Sequence, residues 1–293
     1  MKYQPNRLMG VLNVTPDSFS DGGQFTQLDA AVVQAGRMVA EGAQIIDIGG
    51  ESTRPGAQRV EGPKEIARTV PVIQVLVAAE FTAQISIDTM NAQTALAAVA
   101  TGASIINDVS GGLADPQMFA AVAQTGATYV LGHWRGHSSQ MDALNSYGDV
   151  AADVAGELRT RVAAALAAGI DPGQIVLDPG LGFAKDAAQN WQLLAGLEKI
   201  KAIGFPLVIG ASRKRFLAAQ LANFGPGHGA AEIGNQQRDS ATAALTALLA
   251  GPQIFAFRVH NVAANANALA VAAALSTGSL TQRFANPAAD IQG

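Results

Sequence analysis

The sequence predicts an α/β fold, a single parallel (β/α)8 TIM barrel, and three observations carry that expectation. Eight short apolar runs recur along the 293 residues, Ala-rich stretches with helical spacing separate them, and polar or charged residues gather on the C-terminal side of every run. A barrel of this kind sets the C-terminal ends of all its strands on one face, where its active sites lie. Eight separate polar clusters would therefore meet in one mouth.

The first run, 8–14, leads to Asn13 and Asp17, and the second, 44–48, leads to Glu51 and Arg54. Runs at 85–87 and 104–106 end at Asp88 and at Asn107 with Asp108; those at 128–131 and 175–177 end at His133 and Asp178. The seventh, 207–209, precedes Ser212, Arg213 and Lys214, and the eighth, 254–259, contains Arg258 and leads to His260. Many of these residues are β-branched (Ile45, Ile46 and Ile48; Ile105 and Ile106; Ile175 and Val176), as in strands covered on both faces. Helices are predicted over 29–41, 63–79, 92–101, 115–124, 150–168, 187–199, 236–250 and 262–276. Gly42, Gly102, Gly126 and Gly169 stand where helix C-termini favour glycine. Three strand-to-helix loops are long, 15–27, 49–62 and 134–148; long loops at this face serve as lids or binding loops. The Gly-rich segment 221–235 reads as a surface excursion. A doubly wound sheet would want G-x-G-x-x-G after its first strand, and 10–23 does not match it.

No Pro/Ser-rich linker or charge run interrupts the chain, so one domain over 1–293 is expected. The net charge of −4 offers no electrostatic footprint for nucleic acid or an anionic membrane, so neither is expected as a partner. The absence of cysteine removes disulfides, thiolate nucleophiles and Cys-ligated zinc. With a polar N-terminus and no apolar run of about 18 residues, the expected location is cytoplasmic.

The loop Asn13-Val-Thr-Pro-Asp-Ser-Phe-Ser-Asp-Gly-Gly23 is rich in hydroxyls and carboxylates around one aromatic, Phe19. Its Pro and Gly pair would also suit plain turns, but an exposed aromatic in an idle loop is unusual. In Glu51-Ser-Thr-Arg-Pro-Gly56, Arg54 beside Ser52 and Thr53 suits an oxyanion, or a rim salt bridge. Asp88, Asn107 and Asp178 are short acceptors on three strands. Together they suit a flat heterocycle with adjacent N–H donors, such as the 2-amino-4-oxo edge of guanine or a pterin; separately, each could cap a helix. Lys214 has four readings: Schiff-base nucleophile, phosphate clamp, donor to a ring carbonyl, or part of a solvated charge run. Arg258 and His260, two apart on one strand, share a face and form an anion site. Barrel closure brings Asn13 beside them. The four histidines show no metal-binding spacing. Magnesium, however, needs only one or two protein oxygens plus substrate phosphates, so Asn13 with a diphosphate would suffice.

These motifs resemble dihydropteroate synthase. Gly10-Val-Leu-Asn-Val-Thr-Pro-Asp-Ser-Phe-Ser-Asp-Gly-Gly23 and Gly49-Gly-Glu-Ser-Thr-Arg-Pro-Gly56 look like the family's two long signatures, in an actinobacterial style. Ser86-Ile-Asp-Thr89, Ile106-Asn-Asp-Val-Ser-Gly111, Leu177-Asp-Pro-Gly-Leu-Gly-Phe183, Gly210-Ala-Ser-Arg-Lys214, Arg238-Asp-Ser-Ala-Thr242 and Arg258-Val-His260 follow in order. The resemblance implies a (β/α)8 barrel, usually a homodimer. It implies joining of 6-hydroxymethyl-7,8-dihydropterin diphosphate to p-aminobenzoate with Mg2+, giving 7,8-dihydropteroate and diphosphate. It further implies a pterin site of Asp88, Asn107, Asp178 and Lys214, and an anion site of Asn13, Arg54, Arg258 and His260, with Asn13 near the metal. Phe19, Thr53, Pro55, Phe183 and Ser212 would meet the aminobenzoate, and Asp21 would complete the closed site.

Two positions depart from the family pattern. Gly132 stands where Met is common before the fifth-strand His, which predicts a gap of Met size against the pterin. Asn261 stands where Asp is common, removing a charge that could orient His260. A methyltetrahydrofolate-type methyltransferase barrel would share the Asp/Asn/Asp pocket but would need neither Arg54 nor the Thr-Pro-Asp-Ser-Phe-Ser loop. A pterin-binding paralogue without turnover is the alternative from outside catalysis.

Overall fold

The computed structural model describes residues 4–14, 24–51, 60–137, 143–224 and 229–279, with the side chains of 24–27 excepted. Eight parallel strands close into a barrel in sequence order: β1 (Arg7–Asn13), β2 (Ile45–Gly49), β3 (Gln84–Asp88), β4 (Ile105–Asp108), β5 (Thr128–Gly132), β6 (Ile175–Asp178), β7 (Leu207–Ile209) and β8 (Ile254–Val259). The helices between them are α1 (Gln24–Ala40), α2 (Gly62–Ala78), α3 (Ala92–Thr101), α4 (Met118–Ala123), α5 (Val150–Ala167), α6 (Ala187–Ala195), α7 (Leu197–Lys201), α8 (Arg215–Phe224), α9 (Asn235–Leu249) and α10 (Val262–Thr277). Among the described residues no helix is long and apolar enough to cross a membrane.

Caps fix where the helices begin. Asn91 accepts the Gln93 and Thr94 N–H groups at the start of α3, and Asp149 accepts Ala152 N–H at the start of α5, the work of an N-cap oxygen. The helix expected over 187–199 is two: α6 and α7 meet at Gly196, where a Cβ would stand 2.5 Å from the Cβ of Ala151 on α5. Close helix approach there requires glycine, and the chain bends at it. The segment after β7 holds α8, for which no helix was expected, and its last residues, 221–224, are helical where the loop-like excursion 221–235 was expected.

Two apolar layers result. Between strands and helices lies the large core, with Leu8, Ile46, Ile87, Ile106, Tyr129 and Leu177 among its members. Inside the barrel a smaller plug is formed by Met9, Ile45, Ile105, Val130, Val176, Val208, Phe255 and Ala256. Side chains two apart on a strand share a face. Asp47, Asn107, Gly132, Asp178 and Arg258 therefore stand one step above Ile45, Ile105, Val130, Val176 and Ala256. The plug fills the barrel, and the next inward layer is the polar floor of the mouth. Register sets strand ends side by side at the mouth, with Asn13 beside Gly49, Gly49 beside Asp88, Asp88 beside Asn107, and Gly132 beside Asp178.

Candidate active site

The floor is organised by a residue the sequence reading passed over. Asp47 lies in β2, fully buried. Its Oδ1 accepts the Ser86 hydroxyl at 2.6 Å, while its Oδ2 accepts Asn107 Nδ2–H at 3.1 Å and Arg258 Nε–H at 2.6 Å. Arg258 Nη2 donates to Asp88 Oδ2 at 2.7 Å. One guanidinium, 19% exposed, thus ties strands 2, 3 and 8 together. A carboxylate buried this deeply is tolerable only when paired and hydrogen-bonded, and Asp47 is both. With its amino side held by Asp47, Asn107 is left with Oδ1, an acceptor, for any further partner. Burial pushes the Asp88 carboxyl up to about 7, against the pull of Arg258 and with the Asp47 and Glu65 charges adding to it.

Across the mouth, Asp178 Oδ1 accepts Gly180 N–H at 2.7 Å, and its Oδ2 lies beside Gly210, where a Cβ would stand 3.6 Å away. Burial raises the Asp178 carboxyl while the Gly180 bond and then the Lys214 and Arg258 charges oppose it. Lys214 Nζ sits 4.0 Å from the centroid of the Phe183 ring, a cation–π contact. Its stem lies on Gly182, whose Cβ would be 2.8 Å from Lys214 Cδ. Burial and the nearby Arg258 lower the ammonium to about 8, with Asp178 and Asp88 working the other way. The neighbours of Lys214 diverge: Arg213, in the left-handed region at φ 59°, makes a two-pronged ion pair with Asp239 of α9 at 2.8 Å, and Arg215 is exposed. Of this basic stretch, only Lys214 faces the mouth.

His260 and Ser212 form a pair. Ser212 Oγ accepts the His260 backbone N–H at 3.1 Å and lies 2.9 Å from His260 Nδ1. A hydroxyl accepting the backbone proton is placed to donate to Nδ1, which leaves the ring proton on Nε2. Burial first, then Arg258, lowers the His260 imidazole to about 3, so it is neutral at pH 7 and acts as an N–H donor. The charge departure expected at Asn261 has a different meaning: its side chain caps α10 by accepting Ala264 N–H at 3.0 Å, and Ser212 orients His260.

Asn13 ends β1 with Oδ1 3.5 Å from where a Gly49 Cβ would stand, and Asp88 Oδ2 is 3.6 Å from the same point. Among the described residues no cluster of three or more His, Cys, Asp or Glu could hold a metal. Asn13 Oδ1 fits one-ligand magnesium chemistry, in which phosphate oxygens and water supply the remainder. Phe19, Asp21, Thr53, Arg54 and Pro55 lie outside the described residues. The second loop's base is described: Glu51 Oε2 accepts Val60 N–H at 3.0 Å, clasping its two ends.

Two strand-end groups turn away from the mouth. Asp108 holds the following turn by accepting Ser110 N–H, the Ser110 hydroxyl, Gly112 N–H and the Tyr129 hydroxyl. His133 is buried behind the β6 turn, between Lys185 and Glu157. The gap expected at Gly132 is absent, because a Cβ there would lie 2.5 Å from Val109 O and 2.6 Å from Val109 Cα. The backbone after β4 already fills that space.

Comparison with known proteins agrees with this geometry. The family described as pterin binding enzyme matches residues 9–260. A dihydropteroate synthase of Mycobacterium leprae is 49% identical over 276 residues, covering 94% of this chain and 95% of that protein. A Xanthomonas albilineans dihydropteroate synthase solved with 4-aminobenzoic acid superposes at a TM-score of 0.83, with 41% identity and 93% of each chain covered. Another structure from that organism, in complex with 7,8-dihydropteroate, gives 0.81 and 38% identity, covering 94% of this chain and 95% of the other. The chain belongs to the pterin-binding enzyme family and, within it, to the dihydropteroate synthases.

Proposed function

We infer that this chain condenses 6-hydroxymethyl-7,8-dihydropterin diphosphate with p-aminobenzoate, releasing diphosphate and 7,8-dihydropteroate in folate biosynthesis. The observation that carries the reading is the set of acceptors facing one mouth, Asp88, Asn107 and Asp178, with Lys214 as the donor among them. A ring presenting adjacent N–H groups and a carbonyl complements that set. The relatives' bound 4-aminobenzoic acid and 7,8-dihydropteroate are the second substrate and the product of this reaction.

In the reaction the arylamine nitrogen bonds the pterin methylene as the bond from that carbon to the diphosphate oxygen breaks. The positively charged nitrogen then releases its proton to water. Positive charge develops on the ring, and Asp88 accepting a ring N–H stabilises it; Arg258 and neutral His260 Nε2–H meet the departing diphosphate. Both effects are electrostatic preorganisation. Arg258 serves both ends, because its other nitrogens already bind Asp47 and Asp88. Mg2+, held through Asn13 and the diphosphate oxygens, would neutralise charge on the leaving group. Phe183 and Ser212, with Phe19, Thr53 and Pro55 of the two loops, form the aminobenzoate side; Arg54 joins the anion site, and Asp21 closes it.

The same proposal covers a cytoplasmic protein, one domain over 1–293, acting as a homodimer. Leu248 of α9 and Val271 and Leu275 of α10 are exposed, an apolar face of the kind that a second copy covers. The test is diphosphate release by the purified chain with both substrates and Mg2+. Turnover that requires p-aminobenzoate supports the reading. Pterin binding without turnover would return the chain to a non-catalytic paralogue.

A further inference from the structure

Behind the β6–α6 turn lies a buried lysine that no step above uses; burial lowers its ammonium to about 7, with the Asp178 charge opposing. Lys185 is 6% exposed, and its Nζ makes three contacts at 3.0 Å, to Gly180 O, Phe183 O and His133 Nδ1. The carbonyls at both ends of one turn therefore converge on a single ammonium. Gly180 O also accepts Phe183 N–H at 3.1 Å, so the turn is closed from inside as well as held from behind.

The turn is costly to form. Gly180 and Gly182 have φ of 70° and 74°, and Ala184 adopts φ 48°, a left-handed conformation that disfavours a residue with a Cβ. At Gly180 a Cβ would stand 2.2 Å from His133 O. Asn190 of α6 clasps the far side: its Oδ1 accepts Gly182 N–H at 2.6 Å, and its Nδ2 donates to Lys185 O at 3.2 Å. A strained backbone persists where its surroundings over-determine it, and here a buried ammonium is among those surroundings.

Lys185 is anchored in turn to the neighbouring barrel unit. A His133 Nδ1 that accepts from the ammonium leaves its proton on Nε2, which donates to Glu157 Oε2 of α5 at 2.8 Å. Arg135 grips the same carboxylate. Burial and then the Lys185 charge lower His133 to about 4, consistent with a neutral ring relaying between cation and anion. Burial works to raise the Glu157 carboxyl, and the hydrogen bonds from His133 and then Arg135 outweigh it, holding it down to about 2.

The turn's outward face supplies three parts of the mouth: Gly180 N–H on Asp178 Oδ1, Gly182 beneath the Lys214 stem, and the Phe183 ring beneath Lys214 Nζ. We propose that Lys185 is a positioning residue for the arylamine substrate, setting the Phe183 ring from behind without touching either substrate. Asp178 leaves the end of β6, so strand pairing keeps it in place, and Lys214 is carried by the separate segment between β7 and α8, whereas Phe183 has neither support. Loss of Lys185 should therefore fall on the aminobenzoate more than on the pterin. The inference rests on the assignment of Phe183 to the aminobenzoate side.

The experiment measures KM for p-aminobenzoate and kcat at saturating pterin diphosphate, with calorimetry of a simple pterin alongside. Lys185→Met keeps the stem and removes the donors. It should raise KM for aminobenzoate at least tenfold, with kcat and pterin affinity within about threefold of the parent. Lys185→Gln retains two N–H donors on a shorter stem; it should raise KM about threefold with kcat and pterin affinity unchanged, and decides the matter if the Met variant does not fold. An unchanged KM in the folded variant, or equal losses in KM, kcat and pterin affinity, overturns the proposal and leaves Lys185 a purely structural residue. Phe183→Ala separates the two levels. If it raises KM while the Lys185 variants do not, only the positioning role falls. If it leaves KM unchanged, the assignment of Phe183 falls, and the positioning role with it.

Discussion

Replacing Asp47 by Asn tests whether the floor of the mouth is held by one buried charge. The shape is nearly conserved. Ser86 can reverse its hydroxyl to accept from the new amide, and the remaining oxygen can face Arg258 and Asn107. What disappears is the charge behind two bonds, Arg258 Nε–H at 2.6 Å and Asn107 Nδ2–H at 3.1 Å. A hydrogen bond to a charged group contributes about 1 kcal/mol more than a neutral one, so the loss is roughly 2 kcal/mol. Arg258 keeps its bond to Asp88, so the larger cost of an unpaired buried charge, about 3–5 kcal/mol, is not incurred. In urea this appears as an unfolding free energy lower by roughly 2 kcal/mol with an unchanged slope. If the same loss reaches the transition state, kcat/KM falls about thirtyfold. The Asp47 charge also helps to raise Asp88, so the titration of Asp88 should move to lower pH in the variant. Stability within about 0.5 kcal/mol of the parent, together with unaltered kcat/KM, would remove Asp47 from the centre of this arrangement.

Three further outcomes are expected. Gly132→Met drives a Cβ into the Val109 backbone, 2.5 Å from its oxygen, and overpacking of this kind costs about 1–3 kcal/mol; a melting temperature at or above the parent's, with tighter pterin binding, would contradict it. Asp178→Asn turns half of a charged acceptor into a donor, and at roughly 1.5–3 kcal/mol for such a bond the affinity for a simple pterin should drop at least tenfold in calorimetry; an unchanged heat titration puts the ring elsewhere. His133 titrates near 4 in the folded protein against about 6.5 when unfolded. The unfolded chain thus binds the extra proton in that window, and stability is lost as pH falls through it, by roughly 1.5 kcal/mol between pH 6.5 and 5. Equilibrium unfolding of His133→Asn at both pH values should lack this increment, and an identical pH slope would refute the assignment.

The barrel was legible because its strands advertise themselves twice, as β-branched apolar runs and as polar exits. Inward and outward residues alternate, so Asp88, Asn107 and Asp178 appeared at run ends while their apolar neighbours faced the helices. Asp47 escaped notice for the converse reason: it sits within an apolar run, between Ile46 and Ile48, and nothing local says that Arg258, over two hundred positions away, reaches it. Lys185 is similar, since its partners Gly180 and Phe183 are near in sequence but His133 comes from the preceding strand. The helix α8 was hidden by the polar stretch 212–215 before it and the Gly-rich stretch after it. Gly132 and Asn261 looked like losses when each was compared with a pattern one side chain at a time. The structure supplies the missing context, a backbone wall at Val109 and a helix N-terminus at Ala264.

The stacking of a polar layer directly upon an apolar plug also bears on how this sequence can change. Asp47, Asp178 and Arg258 occupy inward positions one step from Ile45, Val176 and Ala256, and buried ion pairs are often no more stabilising than well-packed apolar side chains of like volume. A population of variants screened for heat resistance alone would therefore be drawn to fill this layer with hydrocarbon and extend the plug upward. Its fittest survivors by that measure would be inert. Selection for turnover has to oppose that drift continuously, and the tension is confined to one storey of the barrel, so that the plug below and the helices outside remain free to improve.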